Sequence, residues 1–249
     1  MTRHTEPPAP PRSGRPWIEV TLGVAAITAT AALGAYVHIR AGVNAVDRLG
    51  FALPRVTTHS WRFFRAVTWL GTVPALAIGS VSAALVARFT GRRDRWRALA
   101  CLIGPPVAAV VNQLVIKPLV GRQYLGDLSF ASGSVTVIAA VSTAWVLAVP
   151  RRFRPATAVL GSLATALMMV AVIAVRWHYP TDAVAGAVFG VGMVLIVDGA
   201  IRFISRSQPG DAPGASQGDG GSSRRAGRFA PVGATTGGGN HDEVAHPFG

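Results

Sequence analysis

Apolar residues run along this chain in long blocks broken by short polar stretches. The first block, Trp17 to Ile39, has about the 20 residues a helix needs to cross roughly 30 Å of hydrocarbon. It carries Glu19 near its start and is longer than the apolar core of a signal peptide, so it reads as a retained span. Residues 40 to 66 mix Val43, Val46, Leu49, Trp61, Phe63 and Phe64 with Arg48, Arg55, Arg62 and Arg65, a pattern that suits the headgroup zone. Further blocks follow at Val67 to Phe89, Ala98 to Ile116, Ser134 to Val149, Ala156 to Val175 and Ala183 to about Ile201. Gly104-Pro105-Pro106 predicts a kink in the third block, because each proline removes a helix hydrogen bond.

The blocks predict an all-α fold, a polytopic membrane helical bundle of six transmembrane helices spanning residues 17 to 204. Residues 1 to 16, rich in proline and arginine, predict a disordered cytoplasmic arm. Residues 205 to 249, rich in glycine, serine, proline and arginine, predict a disordered cytoplasmic tail.

Composition sharpens this picture at three points. Half of the residues are hydrophobic and only 14% are charged, which excludes an ordinary soluble domain. The net charge of +13 comes from arginines scattered between apolar blocks rather than from a basic patch interleaved with aromatics, so it does not predict nucleic-acid binding. The single cysteine, Cys101, excludes a disulfide framework and a thiolate metal site.

The basic residues also predict orientation, since cytoplasmic loops are enriched in them. Six spans with the amino terminus inside leave sixteen basic residues on the cytoplasmic side and eight opposite, five of those in residues 40 to 66. Both termini are then cytoplasmic, and both polar islands lie at the outer face of an integral, plasma-membrane protein.

Those islands carry the candidate chemistry. One is Arg176-Trp177-His178-Tyr179-Pro180-Thr181-Asp182; the other runs from Lys117 through Arg122 to Ser132-Gly133-Ser134. Ionisable groups at the ends of membrane spans are costly unless they have a function. Proline suits the first turn of a helix. If helix geometry begins near Tyr179 and Pro180, His178 and Asp182, four residues apart, share a face, and the carboxylate fixes the imidazole tautomer. Lys117, the only lysine among 24 basic residues, and Arg122 supply cations, and a helix start near Ser132 and Gly133 offers unpaired N–H groups to an anion. The residues alone predict an outward phosphate pocket with a histidine beside it.

In order and spacing these residues resemble the type 2 phosphatidic acid phosphatase superfamily, which also contains vanadium haloperoxidases. Its motifs are K-x6-R-P, P-S-G-H and S-R-x5-H-x3-D. Lys117 matches the lysine of the first, Ser132 and Gly133 the serine and glycine of the second, and His178 and Asp182 the end of the third. The resemblance covers roughly residues 20 to 202 and implies a metal-independent, cofactor-free phosphatase. In it His178 is the nucleophile, forming a phosphohistidine, and Asp182 orients it. Lys117, Arg122, Ser132, Gly133, Ser134 and Arg176 line the phosphate site.

The chain departs from the motifs at several positions. Tyr124 and Leu125 stand where the first motif has R-P, Ala171 and Val172 where the third has S-R, and Ala131 where the second has proline. Arg122 and Arg176 are the substitute clamps. Ser134 replaces the histidine that protonates the leaving group, a loss of about 10² to 10⁴ in rate for an alkoxide. A diphosphate, whose leaving phosphate is stable without a proton, suffers less. His59, Tyr124 and Asp127 are the other conceivable donors. The expected function is therefore a lipid phosphate or diphosphate phosphatase acting among membrane lipids. The alternative is an impaired relative that binds lipid phosphate without efficient turnover. The sequence leaves the particular lipid and the oligomeric state open.

Overall fold

The computed structural model describes residues 16–40, 43–52, 57–90 and 95–206. The expected disordered arm and tail fall almost wholly outside the described residues. Where they touch them, Pro16 opens the first helix and residues 205 and 206 close the last. The described residues are helical except for one small hairpin, so the all-α expectation stands.

The chain runs α1 (Pro16–Arg40), α2 (Ala45–Ala52), α3 (Thr58–Thr68) and, after a 3-10 turn, α4 (Val73–Phe89). Then α5 (Arg95–Val111) continues through a π-helical segment, Asn112–Ile116, into the single turn α6 (Lys117–Val120). The hairpin β1 (Gln123–Tyr124) and β2 (Asp127–Leu128) precedes α7 (Gly133–Ala148), α8 (Arg154–Ala174) and α9 (Pro180–Arg206).

Six spans are not what the chain forms. Among the described residues four helical segments are long and apolar enough to cross a membrane: Trp17–Arg40, Arg95–Val120, Arg151–Ala174 and Pro180–Ser205. A fifth is reached only if Ser60–Gly71 and Val73–Phe89, bent by 55° at their junction, count together as one broken span. The apolar block from Ser134 to Val149 becomes α7, which has 16 residues and is therefore about 24 Å long at 1.5 Å per residue. That falls short of the hydrocarbon thickness, and α7 instead packs among α4, α5, α8 and α9. Pro105 and Pro106, where a kink was expected, lie inside one helical segment that reaches Val120.

The interior is built from small side chains. Ala83, Ala87, Cys101, Ala108, Ala140, Ala144 and Val194 form one buried cluster, while Leu22, Ile78, Leu85, Leu160 and Leu163 face outward. This is membrane-helix packing, in which close backbone approach replaces a hydrophobic drive that lipid does not supply. The tightest approach to backbone joins α7 to α9, where a Cβ on Gly186 would sit 2.5 Å from the Ser132 carbonyl oxygen and one on Gly190 2.5 Å from that of Thr136.

The start of α1 and the end of α9 lie together: Arg202 pairs with Glu19 at 2.8 Å and with Asp198, and the Trp17 and Phe203 rings meet edge to face. At the opposite end of the bundle His38 Nδ1 lies 2.8 Å from the Val120 carbonyl oxygen, beside the two polar islands.

Candidate active site

The first island is shaped by two turns. Gly121 ends α6 in the left-handed region (φ 63°), its N–H reaching the Lys117 carbonyl at 3.0 Å. The hairpin then reverses through Leu125 (φ 53°) and Gly126 (φ 92°), and the Ser129 N–H donates back to the Arg122 carbonyl at 2.9 Å. The π-helical segment just before Lys117 is a kind of irregularity often found at functional sites. In it Asn112 is buried and donates to the Ala131 carbonyl at 3.1 Å, tying this helix to the loop before α7.

The second island ends one helix and starts another. Arg176 takes a left-handed turn (φ 60°) after α8, and Pro180 opens α9 in the first-turn position proline favours. Asp182 reaches back so that its carboxylate accepts the Tyr179 N–H at 3.4 Å, a cap on the new helix. His178 therefore stands in the turn before α9, and the shared helical face expected for it and Asp182 does not arise.

Asp182 is instead bound to Arg122. The guanidinium donates to Asp182 at 2.7 Å, to the Thr181 hydroxyl at 2.8 Å and to Asp47 at 2.5 Å, and it lies over the Tyr179 ring at 3.9 Å. Asp47 also accepts both the N–H (3.1 Å) and the hydroxyl (2.8 Å) of Thr181. Both carboxylates are fully buried and the Arg122 side chain is 8% exposed. Burial works against the Arg122 charge, but the Asp47 hydrogen bond and the Asp182 charge outweigh it, and its pKa is raised. In this arrangement Arg122 is a strut joining α2, the hairpin and α9 rather than an open phosphate clamp. Asp47 was not among the residues singled out in the sequence. Its signal was an acid within a mixed apolar segment, and its partner lies 75 positions away.

Lys117 and His178 line one cleft of about 720 Å³, together with Gln113, Tyr124, Asp127, Ser129 and Trp177. The His178 pKa is lowered from 6.5 to about 4, first by burial and then by the Lys117 charge, with the Ser129 backbone carbonyl pulling the other way. The ring is thus neutral at pH 7. Its Nδ1 has no hydrogen-bond partner, so the proton that the Ser129 carbonyl accepts resides on Nε2, and Nδ1 keeps its lone pair. The Ser129 hydroxyl lies between the Arg122 carbonyl (3.4 Å) and Asp182, which links Asp182 to His178 through one intervening residue.

The remaining predicted residues lie elsewhere. Arg176 donates to the Phe51 carbonyl at 3.0 Å and covers the Phe51 ring at 4.8 Å. Ser132 caps the start of α7 in extended backbone, buried, with its Oγ unpartnered and its N–H donating to the Asp182 carbonyl at 2.9 Å. Gly133 faces open space, and Ser134 packs on Gly71, where an added Cβ would come within 2.5 Å of the serine Cβ. None of these four lines the cleft. The side chain of His59 lies outside the described residues. Among the described residues no group of three or more His, Cys, Asp or Glu side chains is placed to hold a metal ion.

Lys117 and His178 thus share one cleft beside a bundle of apolar helices. Residues 105–202 match the family model of the PAP2 superfamily. It shares its fold with the crystal structure of a transmembrane PAP2 type phosphatidylglycerolphosphate phosphatase from Bacillus subtilis. The two are 17% identical with a TM-score of 0.58, over 75% of this chain and 98% of that one. No curated protein matches the chain.

Proposed function

We propose that this protein is a lipid phosphate or diphosphate phosphatase that releases inorganic phosphate through a His178 nucleophile. The observation that carries this reading is the shared cleft, in which a neutral imidazole with an unpartnered Nδ1 lies near the Lys117 ammonium. Lys117 holds the phosphate as a point charge. The neutral ring attacks phosphorus, and the Ser129 carbonyl steadies the charge that develops on it. Asp182 acts as a positioning residue through Ser129 and Arg122.

An outer-face site is favoured by the arginines at the far end. Arg97, Arg154 and Arg202 gather where α1 begins and α9 ends, the end that basic residues mark as cytoplasmic. The second reading, a phosphate-binding relative with little turnover, is favoured by the absence of Ser134 from the cleft walls. Phosphate release by the purified protein, across lipid phosphates and diphosphates including phosphatidylglycerolphosphate, tests the two. Release that His178→Ala abolishes and vanadate inhibits is expected. Equal background release by both proteins favours the binder.

A further inference from the structure

The missing acid leaves a gap in the reaction, and the cleft contains one group able to fill it. Alkoxide is a poor leaving group, so a monoester needs a proton donor beside the bridging oxygen. Among the polar cleft residues, Gln113 has no transferable proton, Ser129 is directed towards Arg122 and Asp182, Lys117 is the phosphate anchor, and His178 is the nucleophile. That leaves Tyr124 and Asp127, facing partners in the hairpin. A tyrosine hydroxyl carries an O–H to donate, and Tyr124 is the one of the two that neighbouring rings pack against.

Tyr124 is also held in place. Its ring stacks on Phe51 at 6.0 Å and meets the Tyr179 ring edge to face at 4.6 Å. Phe51 is fixed in turn by Arg176, which bonds its carbonyl and covers its ring. A side chain so braced, on a cleft wall shared with the nucleophile, meets the first requirement of a general acid, which is position.

We propose that Tyr124 is the general acid of this site, standing in for the histidine that Ser134 replaces. The proposal rests on the phosphatase reading above. In the first step a ring nitrogen of His178 forms a bond to phosphorus and the P–O(alkyl) bond breaks. The electron pair goes to the leaving oxygen, which takes the Tyr124 proton and departs as the alcohol. In the second step water attacks phosphorus, the P–N pair returns to the imidazole, and the water proton returns to the Tyr124 phenolate. The sum is ester plus water giving alcohol plus phosphate.

The test compares an alkyl phosphate lipid with p-nitrophenyl phosphate, whose leaving group needs no proton. Tyr124→Phe keeps the stacked ring and removes only the hydroxyl. Release from the alkyl ester should fall about 10²-fold or more, and release from the aryl ester should stay within about threefold. Equal losses on both esters, or none on either, would overturn the assignment to Tyr124. Release unaffected by His178→Ala would instead sink the phosphatase reading itself.

Discussion

The Arg122 guanidinium meets the Asp47 carboxylate at 2.5 Å, and the two residues lie 75 positions apart in the sequence. Asp47 is fully buried, and with Asp182 it leaves a net charge of −1 on the three-residue chain, so each member depends on the others. Removing one partner of such a chain strands charge in a place where water cannot reach it. Asp47→Ala should destabilise the protein by about 3 kcal/mol, read as a lower thermal unfolding temperature in detergent. Arg122→Lys should cost a comparable amount, because one ammonium cannot span two carboxylates and a threonine. An unchanged transition in both variants would mean that the strut contributes nothing.

The lowered pKa of His178 fixes the direction of two pH effects. As a nucleophile the ring must be neutral, so the acid limb of kcat/KM should fall near pH 4 rather than near 6.5. Lys117→Met should weaken substrate binding and move that limb upward, since the lysine charge is one cause of the shift. The same shift acts on stability. Below about pH 6.5 the unfolded ring takes up a proton that the folded one refuses, so the contribution present above 6.5 declines as pH falls towards 4. His178→Ala should flatten that decline in unfolding experiments run across this window.

Gly186 brings α9 against the first turn of α7, and what its missing Cβ would meet is the Ser132 backbone first and the Thr136 hydroxyl beyond it. Gly186→Ala places a methyl carbon 2.5 Å from the Ser132 carbonyl oxygen, next to the 2.9 Å bond from the Ser132 N–H to the Asp182 carbonyl. Overpacking of this kind costs about 1–3 kcal/mol, and here it also moves Asp182, so both stability and turnover should drop. Gly133→Ala is the matched control, because a Cβ there meets nothing within 4 Å. Its unfolding temperature should be unchanged or slightly higher.

Runs of apolar residues made the helical membrane class legible, and the costly polar islands pointed to Lys117 and His178. Counting spans from those runs failed at two identifiable places. Hydropathy does not register that α7 stops at Ala148, nor that the chain bends by 55° between Gly71 and Val73. Within the site, Pro180 marked the start of the last helix, and His178 stands in the turn just before it. Arg122 and Asp182 were each visible as polar residues near span ends. That they bind one another, and that Asp47 completes the chain, depends on a tertiary approach that carries no local pattern.

Ser134→His would introduce the histidine that the superfamily's second motif carries, but the packing argues against a gain. The Ser134 side chain rests on the backbone of Gly71 at the bend between α3 and α4, already so close that a Cβ on the glycine would come within 2.5 Å. Nor is Ser134 a wall of the cleft that holds Lys117, Tyr124 and His178. An imidazole at this position therefore has to displace the bend before it can reach a substrate. Ser134→His should destabilise the protein by about 1–3 kcal/mol and give no gain in phosphate release from an alkyl ester. A rise of tenfold or more would show that the bend yields and that the start of α7 faces the leaving group. In that case Tyr124→Phe made in the Ser134→His background should lose its effect.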